Sequence, residues 1–182
     1  MKIRKIPLYR PAGSIKFCVF LCKYAGDSAT LQWKNHPLLS LMEEVETYSH
    51  LTPVQIRFND IDIMGHVNNA VHQYYYDYAR LQYFRDVFGR LISWNEQALV
   101  LASIHVNYEE PIGLDEQIEV HTRITRIGNK SIGMSQKIVN THTKVKSYSE
   151  SVLVGYDRKK GATFSIPQEW RERISWFEHA RF

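Results

Sequence analysis

Two aspartates two residues apart, followed by Gly-His and then by an aromatic-rich segment, are the part of this chain best suited to chemistry. The stretch is Arg57-Phe58-Asn59-Asp60-Ile61-Asp62-Ile63-Met64-Gly65-His66-Val67-Asn68-Asn69. It ends a short apolar run, turns through the two acids and Gly65, and opens a segment with helical spacing. A carboxylate just ahead of a helix N-terminus stands beside free backbone N–H groups. That combines a base or nucleophile with a cradle for a developing oxyanion, the parts an acyl-transfer site needs. Gly65 supplies a positive φ at the turn, and the amides of His66 and Val67 are the expected oxyanion donors.

Simpler readings of the same residues fail. Asp60, Asp62 and Gly65 share the opening spacing of a calcium loop, but its twelfth position is Val71, with no carboxylate. His105, His121 and His142 fall on separate segments without ligand spacing, so no metal is expected. No Gly-rich phosphate loop occurs. Both cysteines, Cys18 and Cys22, lie far upstream, which removes a thiol nucleophile from the region of the motif and is compatible with a reducing cytoplasm.

The elements around the motif follow from periodicity. Val54–Phe58 alternates as a strand. A helix is expected from Val67 or Asn68 to about Phe88, closed by Gly89. His72, Tyr76, Ala79, Tyr83 and Val87 form its sheet-facing stripe, with His72 read as a hydrogen-bonded core histidine. Tyr74, Tyr78, Leu81 and Phe88 lie on the far side, a second apolar face that calls for a partner surface. After a loop at Trp94-Asn95-Glu96, strands are expected at Ala98–Tyr108, Gln117–Ile127, Ser131–Asn140 and Val145–Tyr156, then a helix Gln168–Glu178 after Pro167. One long helix followed by a run of antiparallel strands argues for an α+β fold and against parallel βαβ units.

The motif resembles the signature of the hotdog-fold acyl-CoA thioesterases of the 4-hydroxybenzoyl-CoA type. The similarity runs over roughly residues 50 to 179, with weaker matches at Pro111–Asp115 and Thr122–Ser131. It implies an antiparallel sheet wrapped around one long central helix, hydrolysis of an acyl-CoA or acyl-carrier-protein thioester, and no cofactor. It places the catalytic carboxylate at Asp62, as base or as nucleophile, both of which stay open, with Gly65 and His66 beside it. Val67, Asn68, Arg126 and Lys130 are the expected substrate contacts, the last two through coenzyme A phosphates. It implies a homodimer or homotetramer with the site at the subunit interface. Related carrier-protein thioesterases of plants carry an Asn two positions after the Asp; here that position is Met64, so Asp62 carries more of the burden. The family pattern has Tyr where this chain has His72. A non-catalytic thioester-binding protein is the alternative, and a 3-hydroxyacyl dehydratase lacks its His-Phe-Pro motif here.

Charge divides the chain in two. Residues 1–41 hold seven Lys/Arg against one acid, +6, and residues 42–182 hold sixteen against eighteen, −2. The basic balance therefore belongs to the leading segment, which argues against nucleic acid as a partner of the remainder. Phe17–Cys22 is too short an apolar run for a signal peptide and is preceded by Pro7, Pro11, Gly13 and Lys16. No run approaches a membrane span of about 18 apolar residues. Residues 1–41 are read as an upstream extension or non-native start, and 42–182 as the thioesterase domain.

Overall fold

Strand β1 (His50–Val54) leads into a 3-10 turn (Phe58–Asp60) and then helix α1 (Asn69–Phe88). Strands β2 (Gln97–Tyr108), β3 (Ile118–Ile127), β4 (Ser131–Asn140), β5 (Val145–Asp157) and β6 (Ala162–Thr163) follow, and helix α2 (Gln168–Glu178) closes the chain. The computed structural model describes residues 47–89 and 97–182. Expectations for Cys18, Cys22, Phe17–Cys22 and the Trp94-Asn95-Glu96 loop lie outside those residues.

The sheet is antiparallel in the order β1-β3-β4-β5-β2, with β6 paired to β5. Helix α1 packs on one face of it, the hotdog arrangement the sequence implies. Asn68 caps the helix by accepting the Ala70 N–H at 2.9 Å, and Gly89 ends it at φ 66°. His72, Tyr76, Ala79, Tyr83 and Val87 are all buried against the sheet, as their stripe predicts. Tyr74 and Tyr78 are 69% and 47% exposed. Phe88 departs from the expected far side: it stacks on Phe84 and packs against Trp170 of α2.

β1 ends where the expected strand Val54–Phe58 begins. Periodicity does not reveal β1, because its buried residues are the polar His50 and Thr52 while Leu51 is exposed. Pairing runs from His50↔Thr122 to Val54↔Ile118, where β3 begins and leaves nothing for Gln55–Phe58 to pair with. The Arg57 N–H instead donates to Asp60 Oδ2 at 2.8 Å, drawing the chain into the 3-10 turn. Pro53 is tolerated because β1 is an edge strand.

The core forms two groups along α1. Around its first half lie Val67, Tyr75, Tyr76, Ala79, Ile112, Ile118, Val120 and Ile138. Around its second half lie Tyr83, Phe84, Val87, Leu99, Ile124, Ile132, Met134, Leu153, Ile166 and Ile174, with Trp170 and Phe177 packed on them.

Candidate active site

The turn ahead of α1 is built by the acids themselves. Asp60 Oδ2 accepts from the Arg57 amide at 2.8 Å and from the Tyr75 hydroxyl at 2.7 Å, so this carboxylate is committed to structure. Burial, and then the bond to Asp60, raise the Tyr75 phenol above its ordinary range. Asp62 Oδ1 accepts the Met64 N–H at 2.8 Å, an Asx-type turn. Its backbone N–H donates to His66 O at 2.9 Å, and Gly65 N–H returns to Asp62 O at 3.0 Å. Gly65 sits at φ 79° with open space where a Cβ would be, so the conformation and not room calls for glycine. Asp62 Oδ2 takes no donor among the described residues.

Asp62 lines a cavity of about 500 Å³ at the N-terminal end of α1. Met64, His66, Val67, Asn68 and Asn69 share that wall, and Tyr108, Glu109, Glu110 and Pro111 form the opposite one. The Tyr108 hydroxyl donates to Asn69 O at 3.1 Å and ties the two walls together. His72 forms part of the lining from one turn inside the helix.

Two amides around the helix N-terminus, those of His66 and Asn69, have no acceptor among the described residues, so the expected His66 donor is open. Val67 N–H donates to Ile112 O at 2.8 Å, so it is spent and does not serve as the expected oxyanion donor. Asn68 N–H goes to Asp60 O, Ala70 N–H to Asn68 Oδ1, and Val71 N–H to Asn68 O. Asn69 N–H, at the first helical position, has no acceptor among the described residues. A helix start leaves such donors free and favours negative charge beside them. The His66 imidazole is exposed and forms no hydrogen bond with Asp62 or any other described residue.

The second wall is fastened by a buried lysine. Lys146 Nζ lies 2.9 Å from Glu116 Oε2 and donates to Pro111 O at 3.0 Å; its carbonyl accepts the amides of Glu109 and Glu110 at 2.9 and 3.1 Å. Burial works against the Glu116 carboxylate, but the Gly113 amide, Asn140 and Lys146 outweigh it and hold the carboxyl below its usual range.

Arg126 and Lys130 do not join this cavity within one chain. They lie at the far end of β3 and its hairpin, about 30 Å along the strand from Ile118 at roughly 3.3 Å per residue. Arg126 lies across Gly133, where an added Cβ would sit 2.7 Å from its Cγ, and Lys130 Nζ donates to Thr163 Oγ1 at 3.2 Å. No group of three His, Cys, Asp or Glu among the described residues is arranged to hold a metal ion. No helix among them is long and apolar enough to cross a membrane.

Sequence reasoning located the carboxylate wall and missed the other. Tyr108, Glu109 and Glu110 reach the site through the β2–β5 pairing, Tyr108↔Ser147. His72 carried the one usable local signal: it falls three and four residues after Asn69 and Asn68, on the same helix side.

The antiparallel sheet packed against one long helix defines a hotdog protein. A family model described as "Thioesterase-like superfamily" matches residues 56–174, and the chain belongs to that family. It is similar to the acyl-CoA thioester hydrolase YbgC of Escherichia coli, 29% identical over 118 residues, covering 64% of this chain and 88% of that protein. Among solved structures it resembles a Thermus thermophilus thioesterase complexed with coenzyme A and Zn. That protein is 31% identical at TM-score 0.64, covering 74% of this chain and 98% of the other. It also resembles the PA5185 protein of Pseudomonas aeruginosa, 28% identical at TM-score 0.66, covering 75% and 96%.

Proposed function

We propose that the protein hydrolyses acyl-CoA thioesters, with Asp62 as the base or nucleophile and the Asn69 amide as an oxyanion donor. The observation that carries this is their shared cavity: an Asp62 oxygen without a donor and a helix-terminal N–H without an acceptor. The family and the relatives' activities support the reaction class. In this reading the thioester carbonyl oxygen accepts from Asn69 N–H. Asp62 Oδ2 then takes a proton from a water that attacks the carbonyl carbon, or attacks that carbon itself to give a mixed anhydride that water opens to the free acid. The thiolate leaves unaided, since a thiol of pKa about 8.5 is a good leaving group, so one carboxylate suffices where an amide needs a general acid. Gly65 and His66 shape the turn that aims Asp62.

The same reading makes the working unit at least a dimer. β2 is a twelve-residue edge strand whose outer side no described strand pairs. Leu101 and Tyr108 on it are 41% and 43% exposed. Such an edge, with the exposed Leu81 of α1 beside it, favours a second subunit. Arg126 and Lys130 contact coenzyme A only if a second subunit presents them.

Replacing Asp62 by Asn tests the chemistry. Asn keeps an Oδ1 acceptor for the Met64 amide, so the turn survives. Turnover of a panel of acyl-CoAs, from acetyl to palmitoyl and benzoyl, should fall by about 10²–10⁴. A folded Asp62→Asn chain with wild-type kcat removes Asp62 from the reaction, and a wild-type chain that binds the panel but hydrolyses none is a binding protein. Light scattering of the same preparations reads assembly, and a monomer at micromolar concentration contradicts the dimer.

A further inference from the structure

His72 is 2% exposed, yet it lines the same cavity as Asp62 and Asn69. Its Nδ1 lies 3.0 Å from Ser147 Oγ, and Ser147 Oγ lies 2.6 Å from the Tyr76 hydroxyl. Ser147 and Tyr76 are both fully buried. The ring stands edge-on to Tyr108, with centroids 5.1 Å apart at 84°. The imidazole is thus fixed by the helix, by β5 and by the end of β2. Nε2 has no partner among the described residues and is not among the polar atoms sealed from solvent. A satisfied core histidine has both nitrogens bonded. Here one is tied down and the other opens on the cavity.

The buried relay sets which nitrogen carries the proton. A phenol is the stronger donor and an aliphatic hydroxyl the better acceptor, so the order assigned is Tyr76 O–H to Ser147 Oγ, and Ser147 O–H to Nδ1. An accepting Nδ1 leaves the proton on Nε2. Burial also pushes the His72 pKa down to about 4, so the ring is neutral at ordinary pH. Helical side chains lean toward the N-terminus, which carries this ring from one turn inside α1 toward the free Asn69 amide.

We propose that His72 is a catalytic residue whose Nε2–H donates to the thioester carbonyl oxygen, a second oxyanion donor beside the Asn69 amide. This rests on the thioesterase reading above. No bond to His72 forms or breaks. Its proton stays on Nε2 while negative charge builds on the carbonyl oxygen and returns to expel the thiolate. The Tyr76–Ser147 relay keeps the ring in the donating tautomer, so Ser147 is a positioning residue.

The test uses the full chain and the same acyl-CoA panel, with His72→Phe, His72→Tyr, Ser147→Ala and Asp62→Asn. His72→Phe keeps the ring volume and removes the donor. Its kcat should fall by about 10–10³ with KM changed less than about threefold, in line with loss of one oxyanion donor. His72→Tyr returns an O–H to the cavity and should recover at least about tenfold of the His72→Phe loss. Ser147→Ala releases the tautomer and should lower kcat, not KM. If His72→Phe keeps wild-type kcat while Asp62→Asn is inactive, the proposal fails and the thioesterase reading stands. If neither substitution affects hydrolysis, the proposal fails together with the assignment of this cavity as the site, whereas a wild-type chain that hydrolyses none of the panel overturns the thioesterase reading itself. A rate loss in His72→Phe that comes with a matching rise in KM and no recovery in His72→Tyr makes His72 a packing residue and overturns the proposal. Should His72→Phe not fold, Ser147→Ala decides: an unchanged kcat in a folded Ser147→Ala chain also overturns it.

Discussion

The last turns of α1 bury Tyr83, Phe84 and Val87 against Leu99, Ile124, Met134 and Leu153, and α2 covers them with Ile166 before it and Ile174 within it. The first turns of the same helix place Asn69 and His72 beside a cavity, with Ser147 and Tyr76 beneath. At the closed end the core contacts are apolar, and the polar groups among them are paired: Glu178 Oε1 accepts from both Tyr83 O–H and Ile124 N–H, the latter at 2.7 Å, and Arg171 donates to the carbonyls of Ile166 and Gly128. At the open end the Asn69 amide, His72 Nε2 and Asp62 Oδ2 have no partner among the described residues. Burial without function favours closed apolar packing, which supplies most of the stability. A site needs donors left open, so one helix carries stability at one end and chemistry at the other.

The comparison breaks most plainly if stability and activity fail to separate along α1. Ile174 is fully buried in the closed end, and Ile174→Ala should destabilise the protein by about 2–4 kcal/mol. At about 2–4 °C per kcal/mol, thermal melting should drop by several degrees or more. Below the melting range kcat should stay within about twofold, since nothing at that end touches the cavity. Equal losses of kcat and stability at low temperature mean the two ends are coupled.

Acid should weaken the open end first. The His72 pKa is lowered to about 4 from 6.5, so between those values the unfolded chain binds the extra proton and the folded chain does not. Stability from this group is present in full above about pH 6.5. It declines by up to about 1.4 kcal/mol per pH unit as pH falls toward 4. Glu116, whose pKa is lowered, adds its own loss at the acid end of that range. Melting of the wild type should therefore fall from pH 7 to pH 4.5 more steeply than melting of His72→Phe. Parallel curves for the two chains would show that His72 is not held neutral by the fold.

How much of this was legible along the chain follows from how far each contact reaches. The length of α1 was readable because Gly89 and the Asn68 region mark its ends and the buried stripe repeats at helical spacing. Asp62 was singled out through the family resemblance alone; its turn is local, closed through Met64 and Gly65. Asp60 and Asp62 looked alike in sequence, and only the Tyr75 hydroxyl and the Arg57 amide separate the structural acid from the open one. The cavity's second wall arrives by strand pairing, with Lys146 bonded to residues up to 36 positions away, and no local pattern encodes that. His72 was correctly placed as buried and hydrogen-bonded, but burial hid that its other nitrogen faces the site. β1 was displaced because its buried face carries the polar His50 and Thr52, and its register depends on where β3 begins.

The smallest expected effect concerns the leading segment. The family match starts at residue 56, and the unit holding the sheet, both helices and the cavity spans Thr47–Phe182. Residues 1–41 hold +6 of charge, both cysteines and scattered Pro and Gly. A chain beginning at Met42 should therefore keep the closed apolar end and the open catalytic end alike, because every contact named in both lies downstream. Thermal melting of the short and full chains should agree within a few degrees, and kcat within about twofold, since one kcal/mol is worth only about 2–4 °C at this size. A short chain that is insoluble, or melts more than about 10 °C lower, places Phe17–Cys22 or its neighbours within the domain. A short chain that melts normally but loses turnover places the leading segment at the open end alone, which would redraw the boundary between the two regions.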